Sequence, residues 1–247
     1  MTTPQTPSLS VDFANVQNWV FDLDNTLYPA ACDLFAEIDQ RMTAFVMRQL
    51  DLPHDEARAI QKDYYARYGT TLRGMMIEHG LDPTTFMNYV HDIDHSPLDA
   101  APDIKAQLSA LPGKKYIYTN GSTCHAEKVS RYMGIDHLFD DMICIAKSNF
   151  LPKHEDGAFD RFIELTGVDP KKSAMFEDLS RNLIPAHQLG FKTVLVTSLK
   201  DWSHEPEGVR PAHADDAKPV HVHHTTNDLP QFLIDIVANI APKAEAS

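Results

Sequence analysis

Apolar residues follow two rhythms along this chain. Short unbroken runs at 18–22, 115–119, 142–145, 173–176, 192–196 and 220–223 have the length of buried strands rather than helices. Between the later runs, 103–111, 123–133, 157–166, 182–189 and 228–240 carry apolar residues at helical spacing. Strands alternating with helices predict a right-handed, mostly parallel sheet covered on both faces, a doubly wound α/β fold.

One block breaks the alternation straight after the first strand. Leu34, Ile38, Met42, Phe45, Val46 and Leu50 form one apolar stripe, closed by Asp51-Leu52-Pro53. Further helices are predicted over 54–68, stopped by Gly69, over 71–79, stopped by Gly80, and from Pro83 to about 91. The expected organisation is a core of 13–30 and 97–241 holding an all-helical insert at 31–96. Residues 1–12 read as a disordered lead, 199–218 as a polar, Pro-rich surface loop, and 242–247 as a frayed tail.

Composition narrows the partners. Hydrophobic content of 43% and charged content of 23% are ordinary for a soluble globular protein. No apolar run is long enough for a membrane span, and the start lacks a signal-peptide layout. The formal net charge of −13 argues against nucleic acid and anionic membrane surfaces as partners. It leaves a small phosphorylated metabolite open, because one local cation can override a diffuse field. Cys32, Cys124 and Cys144 are too widely spaced for a disulfide framework, which points to reduced thiols and a cytoplasmic location. A homodimer is left open.

The chemistry sits at the predicted strand ends. The first run ends in Asp22-Leu23-Asp24-Asn25-Thr26. Residues i and i+2 of a strand face the same way, so two carboxylates can share one small space, at a cost that a cation relieves. The second ends at Thr119-Asn120-Gly121, offering a hydroxyl, an amide and a closely approachable backbone. Lys153 follows the third, and Glu177-Asp178 ends the fourth. Phosphoryl transfer calls for such a set: a carboxylate nucleophile, an acid/base, a metal and donors around the transferred group. Magnesium, with its preference for oxygen ligands, suits the acids.

In combination these motifs resemble the haloacid dehalogenase superfamily of aspartate-dependent phosphatases. Asp22-x-Asp24-x-Thr26 matches that family's first motif and Thr119-Asn120 the second. Lys153, with Ala158-Phe159, matches the third, and Glu177-Asp178 with Asn182 the fourth. The resemblance implies that Asp22 becomes phosphorylated and that Asp24 handles the proton. It implies that Thr119, Asn120 and Lys153 hold the phosphoryl group. Mg²⁺ would sit between Asp22, the backbone carbonyl of Asp24 and Asp178. Glu177 and Asn182 would support these groups from behind. The family usually has proline after the motif lysine, where this chain has His154. Hydrolytic dehalogenases of the family generally lack an acid at the Asp24 position, which favours an ester over a halide as substrate.

The segment Tyr64-Tyr65-Ala66-Arg67-Tyr68-Gly69, with Arg73 and Gly74 after it, resembles the cap of the pyrimidine 5′-nucleotidases. That likeness implies a nucleoside monophosphate such as UMP or CMP, with Tyr68 and Arg73 reaching the substrate. Phosphoglycolate, a sugar phosphate or another small metabolite is the alternative, and a catalytically silent binding protein is a third reading. The stretch His221-Val222-His223-His224 matches no metal-ligand spacing and reads as part of the last strand.

Overall fold

Six strands, β1 (Asn18–Phe21), β2 (Lys114–Tyr118), β3 (Asp141–Ile143), β4 (Ser173–Glu177), β5 (Lys192–Val196) and β6 (His224–Thr226), form one parallel sheet in the order β3-β2-β1-β4-β5-β6. The structure is a computed structural model that describes residues 12–203, 205 and 209–240. The lead before Asp12 and the tail at 242–247 lie outside the described residues.

Because β1 is central, both its faces are buried and its sequence is unbroken apolar rather than alternating. Trp19 and Phe21 point to one side and Val20 to the other, as the strand period requires. The first side joins Ile117, Phe176, Val194, Leu108 of α5 (Lys105–Ala110), Ala126 and Val129 of α6 (Thr123–Tyr132), and Leu233 and Ile236 of α9 (Leu229–Ile240). Phe21 stacks on Phe176 with centroids 4.6 Å apart. The second side gathers Tyr118, Met175, Phe159 and Phe162 of α7 (Ala158–Thr166), and Leu183 and Ala186 of α8 (Leu183–Leu189). Removing a ring such as Phe21 from this centre would cost about 3–5 kcal/mol.

The chain leaves the sheet after β1 and builds four helices before returning: α1 (Leu34–Leu50), α2 (His54–Tyr68), α3 (Thr71–His79) and α4 (Pro83–Val90). They share a core of their own in Ile38, Phe45, Val46, Ala57, Leu72, Met75, Phe86 and Val90. The stops read from sequence operate as expected. Asp51, Gly69 and Gly80 all take left-handed backbone, and the Thr70 hydroxyl caps α3 by accepting the Arg73 N–H at 3.1 Å.

One expectation fails. The last strand is β6, not 220–223. The Val222 N–H closes a turn on the Pro219 carbonyl at 3.1 Å, and Val220, 99% exposed, points to solvent. Only Val222 is buried there, so a turn was mistaken for a strand edge. The described residues of 199–218 form turns and irregular backbone, as expected, anchored to the core near Ala212. The Ser198 N–H donates to Ala212 at 3.0 Å, and the Ala212 N–H to the Asp178 carbonyl at 3.0 Å. Among the described residues, no helix is long and apolar enough to cross a membrane.

Candidate active site

The carboxyl ends of β1, β2 and β4 meet below the helical insert, at the place where the strand order reverses and open α/β sheets bind ligands. The Asp22 N–H donates to the Phe176 carbonyl at 2.9 Å, continuing the ladder one residue past β1 and fixing Asp22 at the strand tip. The chain then turns sharply, with Asn25 in left-handed backbone at φ 60°. Its side-chain amide donates to Asp178 Oδ2 at 3.3 Å.

Lys153 is the cation of the site, with 1% of its side chain exposed. Its ammonium donates to Asp22 Oδ1, to Glu177 Oε2 at 2.6 Å and to the Tyr118 carbonyl at 3.0 Å. An ammonium has three donors, and all three are used. Burial works against the charge, but Asp22 and Glu177 outweigh it and hold the lysine above its usual range. The Lys153 N–H is fixed by Asn120 Oδ1 at 3.2 Å. Thr119 takes the Gly121 N–H on its Oγ1 at 2.9 Å, which leaves the hydroxyl proton to donate into the site. Glu177 spends its second oxygen on the Leu179 N–H at 3.2 Å, so it anchors the lysine from behind.

The two motif acids occupy different surroundings. Asp22 is buried beside Glu177 and Asp24, and burial first, then Glu177, pushes its pKa up to about 7 against the pull of Lys153. Asp178 is raised by burial and by Glu177 and Asp22. Burial alone would raise Asp24 as well. There the neighbouring His125 imidazole and the hydrogen bonds from His125 and Tyr28 win, and hold it below the ordinary carboxylate value. Tyr28 donates to Asp24 Oδ1 at 2.6 Å and His125 Nε2 to the same oxygen at 2.7 Å.

Asp22, Glu177 and Asp178 are buried and their oxygens approach within 4.8 Å of one another. Two of these acids share the Lys153 ammonium, Asp178 takes the Asn25 amide, and the side-chain amide of Asn182, on the same cavity wall, has no hydrogen-bond partner. An all-oxygen donor set with excess negative charge fits a hard divalent cation. The Asp24 carboxylate is not part of this cluster; its Oδ1 is turned to Tyr28 and His125.

Above these groups opens a cavity of about 440 Å³. Asp22, Asp24, Thr119, Asn120, Lys153 and Asp178 all line its floor. Its upper wall is largely apolar, with Phe35, Ile38, Met42, Leu72 and Phe86 from the insert and Trp202 from the 199–218 segment. At one side Lys62 bonds Asp39 at 2.8 Å and Glu205 at 2.7 Å, so that segment reaches the insert.

Two expected substrate residues are not brought to the cavity. Tyr68 packs at the edge of the insert's own core and bonds Glu78. Arg73 pairs with Glu155 at 3.1 Å. The tyrosine that does line the cavity is Tyr65, one residue from Tyr64 and a third of a helical turn round from the expected face. The Arg181 guanidinium lies 4.6 Å over its ring and donates to the Gly69 carbonyl at 3.3 Å. His154, the departure from proline, seats its ring against Gly69 of the insert, and burial first, then Arg181, lowers it to about 4. Sequence reasoning also missed Tyr28, His91 and His125. Tyr28 stood four residues beyond Asp24, within reach in a tight turn. The histidines come from distant segments and gave no local signal. The expected histidine stretch is engaged by protein partners: His221 with Ser180, His223 with Thr193 and His224 with Asp12.

Known proteins resemble this chain in sequence and fold. Over 206 residues the chain is 26% identical to "Phosphate metabolism protein 8" of Saccharomyces cerevisiae, covering 76% of this chain and 64% of the yeast protein, slightly under two thirds. Among solved structures, a HAD phosphatase from Thermococcus onnurineus superposes with a TM-score of 0.57 at 19% identity, covering 88% of this chain and 96% of that one. The L-2-haloacid dehalogenase of Xanthobacter autotrophicus, with chloropropionic acid covalently bound, superposes with a TM-score of 0.51 at 16% identity, covering 89% and 98%. These two likenesses concern the fold. The model of the haloacid dehalogenase-like hydrolases matches residues 18–190, most of the chain, and the protein belongs to that family.

Proposed function

We propose that the protein is a Mg²⁺-dependent phosphatase that hydrolyses a phosphate monoester through an aspartyl-phosphate, acting on a nucleoside monophosphate such as UMP or CMP. One observation carries the reading: two carboxylates on one turn hold opposed environments. Asp22 faces Lys153 and the acidic cluster, while Asp24 faces Tyr28 and His125. The roles follow from position: Asp22 lies against the lysine that would meet a phosphoryl oxygen, and Asp24 is turned aside with one oxygen unbonded to carry a proton.

In the first step an Asp22 oxygen attacks phosphorus, the ester P–O bond breaks, and Asp24 gives its proton to the departing alkoxide. In the second, Asp24 takes a proton from water, the water oxygen attacks phosphorus, and the bond to Asp22 breaks to release inorganic phosphate. Thr119 and Lys153 hold the phosphoryl oxygens, and Asn120 keeps the Lys153 loop in place. Asp22, Asp178 and the Asp24 backbone carbonyl would hold the magnesium ion. When bound, it supplies positive charge that spreads the developing negative charge of the phosphoryl group.

The insert, 31–96, acts as a cap that closes over the leaving group and excludes water. The cavity's apolar and aromatic wall, with Tyr65 and Phe86 from the insert and Trp202 from the 199–218 segment, supports a flat base with an apolar face over a small hydrophilic ester. Asp24 supports an ester over a halide, since a halide needs no proton to leave. The absence of a disulfide framework supports a cytoplasmic location.

A panel of phosphate esters assayed for released phosphate, with Mg²⁺ and with chelator, tests the reading. Fastest turnover on pyrimidine nucleoside monophosphates, abolished by chelator and by Asp22→Asn, is the expected result. Fastest turnover on phosphoglycolate or a sugar phosphate would overturn the substrate. Inertness across the panel would overturn the activity and favour a binding protein.

A further inference from the structure

Asp24 is held by a structure more elaborate than its motif requires. Tyr28 and His125 both donate to Oδ1, at 2.6 and 2.7 Å, and no described residue bonds Oδ2. The carboxylate is thereby oriented, with one oxygen pinned and the other left to exchange a proton. Tyr28 belongs to the same turn, so its contribution is local. His125 lies 101 residues away, in the first turn of α6, and is 0% exposed.

Burying an imidazole costs free energy that its hydrogen bonds must offset. His125 makes one side-chain hydrogen bond. Its Nδ1 has no partner, so the polar capacity of the ring is spent on Asp24 alone. Accepting carboxylate and single bond place the shared proton on Nε2.

The ring is fixed from every side. Ser122 caps α6 by accepting the His125 N–H at 3.1 Å, and its hydroxyl also meets His91 Nδ1 at 3.0 Å. His91, at the end of α4 in the insert, stacks on His125 with centroids 4.5 Å apart and planes 12° from parallel. His91 lines the cavity and His125 lies behind it. A ring needed only to fill space would not require a second histidine and a serine to set its angle.

Resting on the proposed phosphatase reading, we infer that His125 is a positioning residue for the acid/base carboxylate, roofed by His91 of the insert. It orients Asp24 so that the free oxygen meets the leaving group. A misplaced acid costs rate only where the leaving group needs a proton. This separates positioning from a general structural role.

The experiment compares kcat/KM for an alkyl phosphate, whose alkoxide leaves poorly, with that for 4-nitrophenyl phosphate, whose phenolate leaves unaided. His125→Ala should lower the alkyl value roughly 10–100-fold while changing the nitrophenyl value little. His125→Gln, whose amide keeps a donor near Nε2, should stay near the wild-type ratio. Tyr28→Phe should shift the ratio in the same direction as His125→Ala, so the inference survives a fold defect in the alanine variant. Adding His125→Ala to Asp24→Asn should cost nothing further on the alkyl ester, since both act through one group. Equal losses on both esters, or additive losses in the double variant, would overturn the inference. A wild-type protein that releases phosphate from neither ester would overturn the phosphatase reading itself.

Discussion

Gly69→Ala tests how the insert is seated on the catalytic lysine loop. Gly69 ends α2 with φ 81°, and its carbonyl accepts from Arg181. A Cβ there would collide with His154 Cε1 and lie 2.9 Å from both His154 Nε2 and Pro152 Cβ. The left-handed backbone alone costs an L-residue about 1–2 kcal/mol. Crowding a packed contact adds about 1–3 kcal/mol, so the variant should lose about 2–5 kcal/mol. Gly80→Ala is the matched control, because Gly80 ends α3 with φ 62° and a Cβ there meets nothing within 4 Å. It should show the backbone cost alone. Urea denaturation followed by fluorescence of Trp19 and Trp202 gives both values. Replacing His154 by Ala in the Gly69→Ala background should recover part of the difference, since the imidazole can be removed but Pro152 stays. If Gly69→Ala costs no more than Gly80→Ala, the ring is not seated on Gly69 and the docking argument fails.

Lys153→Met leaves Asp22 and Glu177 without their ammonium and should destabilise the fold by about 3–5 kcal/mol in urea titration. A loss under 1 kcal/mol would show that the lysine does not hold the cluster. Asp22 and Asp178 have raised pKa values, so the stability they lend to the metal-free protein is complete below about pH 4. It falls as the pH climbs through about 7, where Asp22 titrates. Magnesium should therefore raise the melting temperature relative to chelator far more at pH 8 than at pH 5, and equal shifts at both would refute the cluster as its site. Tyr65→Ala should raise KM for a nucleotide substrate roughly tenfold or more, as loss of a stacking face does. Tyr68→Phe should leave KM unchanged, and the reverse pattern would restore the face expected from sequence.

The strand–helix alternation was legible because a central parallel strand is apolar on both faces, and because the first three helices of the insert end on recognisable stops. The floor of the site was legible for a related reason. Asp22, Thr119 and Asp178 lie just past strand ends and Lys153 in the loop that follows β3, so topology brings them together. The cavity wall was not. Tyr64 and Tyr68 share one helical face and Tyr65 another, and nothing local says which face meets the insert's core. His125 and Asp24 meet only because α6 starts beside the turn after β1. Val220 and Val222 alternate like a strand, yet the Pro219 carbonyl closes a turn around them.

The contacts of Lys153 pose a physical problem whose solution bears on the proposed reaction. Lys153 has no donor to spare, so a phosphoryl oxygen can bond it only by replacing a present partner. The Tyr118 carbonyl is fixed by the sheet, and Glu177 is held by the Leu179 N–H as well as by the lysine. Asp22 is the partner whose role changes during the reaction, since its attack on phosphorus consumes its negative charge. Exchange at Asp22 is therefore the least costly, and it frees the oxygen that the lysine now covers. Lysine and nucleophile thus bind each other until substrate separates them. Within that pair the ammonium works against burial and Glu177, favouring the charged form of Asp22 that attack on phosphorus would need.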